Sequence, residues 1–296
     1  MMERHSRRRL LALALFGAGM YGLGLETPRI LRLFERDHLG EAARAVIPDA
    51  PVWTGMTLGQ AMVRLVAGGV IDPNKMAATY ERRGGLPGWA AQALKAASPE
   101  AVVLSPRTAP VLLNLLWALG LANRMEANAT SRLAGPDGAG FASTGGWTLG
   151  RAETGGGYFN TVAAVPLTPS QEARVVAIAD ATYRPCCDNS AFFQDCNHGS
   201  AMLGLIQLAV AHGLSDDAVW RLAKAANGLW YPEQYVEMAV WFREYEGTAW
   251  AAVEPRRALG REMSSLTAWR RTVHDRLVRD GLIAEQRPSG GGGCAV

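Results

Sequence analysis

Two stretches of this chain leave water almost no face to touch. "TAPVLLNLLWALGLANRM", Thr108 to Met125, and "HGSAMLGLIQLAVAHG", His198 to Gly213, are apolar around nearly their whole circumference. A surface helix carries an apolar stripe and a polar face, whereas a helix apolar on every side belongs in a core. Other helices must therefore wrap them, and Gly204 lets another backbone approach the second run closely. The chain has 296 residues, 49% of them hydrophobic, enough for one such core. The expected fold is mostly α: a single helical domain over 27–285, with a Gly-rich irregular or small β insertion at 134–165. An apolar signal or anchor helix precedes it at 1–26, and a flexible Gly-rich tail carrying Cys294 follows at 286–296.

Helix punctuation supports this division. "PRILRLFERDHLGEAARAVI" reads as a helix interrupted by Pro48 and Pro51. "MTLGQAMVRLVAGG" reads as a helix capped by Thr57 and closed by Gly68 and Gly69. Asp72 with Pro73 starts another, stopped by Gly84 and Gly85. "LPGWAAQALKAAS" is a shorter one. Thr168 caps "PSQEARVVAIADATY", with Glu172 as the acid of a capping box. Ser215 opens a helix ending at Gly228, Pro232 opens the next, and "SSLTAWRRTVHDRLVRDGL" closes at Gly281. Between Gly135 and Asn160 stand nine glycines, with Phe141, Trp147, Tyr158 and Phe159 among them. These read as loops with one irregular hairpin, a plain surface segment before a wall over a neighbouring site. The glycines do not follow G-x-x-x-x-G-K-[ST], which argues against a phosphate-binding loop.

Charge sits at one end. The net charge is +3, and the first nine residues supply all of it, with Arg4, Arg7, Arg8 and Arg9 against Glu3. The balanced remainder has no basic stripe, so nucleic acid is excluded as a partner. A basic head followed by the uncharged run Leu10 to Leu25 is the pattern of a signal peptide or short anchor. Ser6 to Ala12, "SRRRLLA", is similar to a twin-arginine export motif. The expected location is the periplasmic side of a bacterial inner membrane, anchored through residues 10–25 or released, with an envelope protein as a further partner.

The chemistry gathers in residues 183–202, "YRPCCDNSAFFQDCNHGSAM", which hold three of four cysteines. Thiolate and imidazole suit copper and zinc, so Cys186, Cys187, Cys196 and His198 are the expected metal ligands. Asp188 and Asp195 are expected to accept from the histidine N–H. Cys196 opens a buried helix, where free N–H groups favour thiolate. Two further readings use the same residues. In a thiol–disulfide oxidoreductase, Cys196 and Cys187 are catalytic and Cys294 is a mobile resolving thiol. In an envelope scaffold, a disulfide from Cys196 to Cys186 or Cys187 staples the loop. A nucleophile–base pair of Cys196 and His198 is disfavoured, because residues two apart on a helix face apart. His212 is expected to cap a helix C-terminus, and His38 and His274 to be solvated. The aromatic run Leu229 to Phe242 is expected to pack in the core, and Glu233 with Glu237 to form a solvated face.

Overall fold

The computed structural model describes residues 39–285, so the expected signal or anchor segment, His38, and the tail with Cys294 lie outside the described residues. From Glu41 the described chain is one compact unit. It is mostly helical, and among the described residues no helix is long and apolar enough to cross a membrane.

The two apolar runs become α4 (Ala109–Ala122) and α6 (Asn197–Ala211), and they form the centre. They cross backbone to backbone. A Cβ on Gly120 would stand 1.8 Å from the carbonyl oxygen of Ser200, and one on Gly204 would stand 2.2 Å from that of Leu116. The pairing of 120 with 200 and 116 with 204 makes the two helices antiparallel. Around them lie α1 (Ala61–Ala67), α2 (Pro73–Tyr80), α3 (Gly88–Ala93), α5 (Pro169–Asp180), α7 (Asp216–Trp230) and α8 (Pro232–Glu246). Two short helices, Pro255–Leu259 and Arg261–Ser264, follow. Then come Leu266–Trp269, a π turn over Arg270–His274, and Asp275–Arg279.

Several helix starts follow the expected capping. Asp72 accepts from the N–H groups of Asn74 and Lys75, and Ser215 from that of Ala218. Thr168 caps α5, but its capping-box partner is Gln171 and not Glu172. Gln171 stands at the third helical position, the one whose side chain can reach back. Glu172 instead accepts from Ala127 N–H at 2.6 Å.

The expected helix from Met56 with a Thr57 cap is wrong at its start. Val52–Gly59 is a strand, β1, and α1 begins only after Gln60. Met56 and Leu58 are buried while Trp53 is exposed, a period of two that marks a strand. β1 pairs antiparallel with β2 (Ser98–Leu104), Val52 opposite Leu104 and Gly59 opposite Ser98. The small β element therefore lies before the Gly-rich insertion. His212 does end α6, its Nδ1 facing the Leu208 carbonyl at 2.8 Å. Its Nε2 accepts from Thr57 N–H at 3.1 Å, which ties β1 to the central helix.

The Gly-rich segment holds no hairpin. It is a series of short turns with one helical turn at Ala142–Gly145. Trp147 is fully buried against Trp117, ring centroids 4.9 Å apart, and its indole N–H donates to the Val70 carbonyl. The segment is sewn to the core and then to the cysteine loop: Ser143 N–H donates to the Asp195 carbonyl, and Phe141 meets Phe193 edge to face. The wall reading, set below the surface-loop one, describes it better.

Two expectations about charge fail on packing. Glu237 and His274 were expected in water. Glu237 is 5% exposed, and its carboxylate stands 3.0 Å from His274 Nδ1, because α8 packs against the π turn. Lys224 is buried as well. Its ammonium donates to the carbonyls of Trp250 and Val253 and lies over the Trp250 ring. Burial pushes Lys224 down to about 8, with Glu254 pulling weakly the other way. The folded value lies below the unfolded one, near 10.4. The cost of burying the cation is thus fully present below pH 8 and relieved above it. Between pH 8 and about 9.5 Lys224 therefore adds stability as pH rises, while Cys187, whose thiol the fold pushes up, takes stability away over the same window. The Lys224 contribution is read as a difference: the stability of wild type minus that of Lys224→Met, from urea denaturation at pH 7.5 and 9.5, should increase with pH. A difference that stays constant would overturn the assignment.

Candidate metal centre

The cysteine loop is clamped at both ends. Tyr183 N–H donates to the Leu259 carbonyl, and the Tyr183 carbonyl accepts from Asn227 and Ser264. Leu266 N–H donates to the Cys187 carbonyl, and Asp188 takes the N–H and hydroxyl of Thr267. The loop then enters α6, whose N-cap is Cys196: its Sγ accepts from Gly199 N–H at 3.4 Å.

These clamps bring three sulfurs together. The Sγ atoms of Cys186, Cys187 and Cys196 all lie within 4.8 Å of one another, those of Cys186 and Cys196 at 3.5 Å. No disulfide joins the three. The turn through Pro185 and Asn189 lets two adjacent cysteines face one point. Cys196 is buried, the other two half-buried.

A buried cation supports them. Arg184 is fully buried; its Nε donates to Cys196 Sγ at 3.2 Å, one Nη to the Asn189 carbonyl at 2.8 Å, and the other to Asp195 Oδ1 at 2.5 Å. The guanidinium lies against the first turn of α6, and a Cβ on Gly199 would meet its Nη2 at 2.4 Å. Glycine is therefore required there by the arginine. Burial alone would weaken the guanidinium as a base, but the three sulfurs and Asp195 together raise it above its usual value, so it stays charged. Tyr231 closes the other side, its hydroxyl donating to Cys186 Sγ at 2.9 Å. Burial first, then the neighbouring sulfurs, hold Tyr231 well above the ordinary phenol range. The Cys187 thiol has a further partner, donating to Asp195 Oδ1 at 3.7 Å. Hydrogen bonds to the sulfurs of Cys186 and Cys196, then burial, push its thiol up strongly.

His198 is not among the clustered ligand atoms. Its Nδ1 faces Asn197 Oδ1 at 2.8 Å, and its ring lies on Tyr231 with centroids 4.6 Å apart. An amide oxygen only accepts, so Nδ1 carries the proton and Nε2 the lone pair. Burial pushes the imidazole down to about 4; Cys196 opposes this and Arg184 reinforces it. The ring is thus neutral at physiological pH. Asp188 and Asp195 do not serve it as expected: Asp188 is held by Thr267, Asp195 by Arg184 and Asn189. The residues missed from sequence are Arg184, Gly199 and the hydroxyl of Tyr231. Tyr231 had been read only as core, and an arginine two residues before a cysteine pair was the available signal for Arg184.

Three sulfurs, a buried cation and a helix N-terminus can hold a soft cation or exchange electrons as a dithiol. No protein-family model matches this chain, and no curated protein or solved structure is significantly similar to it.

Proposed function

We propose that the chain binds one soft metal ion, copper or zinc, through Cys186, Cys187 and Cys196, outside the cytoplasmic membrane to which residues 1–26 direct it. The observation that carries the reading is the convergence of three thiol sulfurs on one point. With each pair within 4.8 Å, some point lies within about 2.8 Å of all three, and a contraction of about half an ångström reaches the 2.3 Å of a zinc–thiolate bond. Thiolates are the donors that select copper(I) and zinc. Donors from Arg184 and Gly199 to Cys196, and from Tyr231 to Cys186, are the kind of outer contacts that orient and tune such ligands. With three protein ligands the fourth position is left to solvent, to another molecule, or to His198 Nε2 after a ring movement.

Elemental analysis of the purified full-length protein should give about one equivalent of copper or zinc per chain. Cys196→Ser and Cys187→Ser should each weaken binding by more than about 100-fold, since outer contacts alone are worth 10–100-fold. His198→Ala within about tenfold of wild type would leave the three sulfurs as the whole protein donor set. A reconstituted wild-type chain that holds copper(I) or zinc no better than the triple Cys→Ser chain would remove the reading.

A further inference from the structure

We infer that the same loop carries a second activity independent of metal: thiol–disulfide exchange, with Cys186 attacking and Cys196 resolving. The pair is chosen by geometry. Their sulfurs are 3.5 Å apart, and each receives a strong donor, Tyr231 O–H on Cys186 and Arg184 Nε–H on Cys196. Exposure then divides the roles. Cys186 is half-buried and can meet an incoming disulfide, while Cys196 is 5% exposed and meets only its neighbour. Cys187 is passed over because its thiol is engaged as a donor to Asp195 Oδ1 at 3.7 Å, whereas the sulfurs of Cys186 and Cys196 face each other at 3.5 Å.

The substrate class is a small or peptide disulfide, R–S–S–R. Cys186 thiolate attacks one sulfur; the substrate S–S bond breaks, a mixed disulfide forms, and one R–S⁻ leaves. Cys196 thiolate attacks Cys186 Sγ, the mixed disulfide breaks, and the second R–S⁻ leaves. Two electrons pass from the cysteine pair to the substrate. The two leaving thiolates take up protons from water. The reverse sequence oxidises a dithiol substrate. The loop tolerates the new bond because its ends are clamped by Leu259, Asn227 and Leu266, and the two sulfurs need only close the gap between them.

The test uses the full-length chain, metal stripped and reduced, with oxidised glutathione as substrate. Each chain should release two equivalents of glutathione thiol, and peptide mapping should find a Cys186–Cys196 bond. Cys196→Ser should accumulate a glutathione adduct on Cys186. Cys186→Ser should slow glutathione release by at least about tenfold. Should the serine variants at 186 or 196 fail to fold, the bond mapped in the wild-type chain decides alone. A bond from Cys186 to Cys187, a bond to Cys294, or an adduct trapped on Cys187 overturns the assignment. None of these readings depends on whether copper or zinc binds.

Discussion

Gly120→Ala should destabilise the protein by at least about 3 kcal/mol, which for a domain of this size lowers the melting temperature by roughly 6–12 °C. Helix propensity predicts the opposite sign, because alanine is favoured over glycine inside a helix by about 1 kcal/mol. Packing wins here. A methyl group on Gly120 would stand 1.8 Å from the Ser200 carbonyl oxygen, and that oxygen is backbone of α6 and cannot swing aside. α4 and α6 must then separate, which strips contact from two helices buried along nearly their full length. The comparison is Gly88→Ala, also in a helix, where a Cβ meets nothing within 4 Å; it should be neutral or stabilising. Because α6 begins at Cys196, the first variant should also loosen the sulfur cluster, and its thiols should react faster with an alkylating reagent. A Gly120→Ala protein melting at or above wild type would refute the backbone contact itself.

That contact shows which parts of the fold are written locally. The two central helices were legible because an apolar circumference has one solution, burial. The caps at Asp72, Thr168 and Ser215 were legible because a cap is settled within four residues. The strand at Val52–Gly59 was not. Its alternation is short, it runs directly into α1, and its partner β2 lies about forty residues away; a helix pattern absorbed it. Glu237 and His274 were misread for a related reason. Each looks polar and solvated on its own helix, and only the packing of α8 on the π turn pairs them. Within the candidate site, three cysteines at close spacing announced themselves. The role of Arg184 was hidden, since a fully buried arginine is legible only when its acceptors are already in place around it.

Arg184→Met should cost about 3–5 kcal/mol, the range for removing one partner of a buried ion pair. The arginine is the common donor to Cys196, Asn189 and Asp195. Methionine fills much of its volume but donates nothing, so the Asn189 carbonyl loses the guanidinium and the Asp195 carboxylate keeps the Asn189 amide but no positive charge. Arg184→Lys should recover only part. A single ammonium has no planar fork to reach all three acceptors at once, and its compact charge would not lie flat over Gly199. The double variant Arg184→Met/Asp195→Asn separates charge from packing. If the main cost is an uncompensated carboxylate, the double variant should be more stable than Arg184→Met by about 1–3 kcal/mol; if the cost is packing alone, the second change should add to the first. Urea unfolding of the reduced, metal-free chain measures all three. Arg184→Met within about 1 kcal/mol of wild type would mean that the guanidinium neutralises nothing that matters. The outcome bears on function because the same cation faces the sulfurs. The guanidinium stands as a fixed positive charge 3.2 Å from the buried Cys196 Sγ, and metal capture and disulfide exchange both pass through a thiolate.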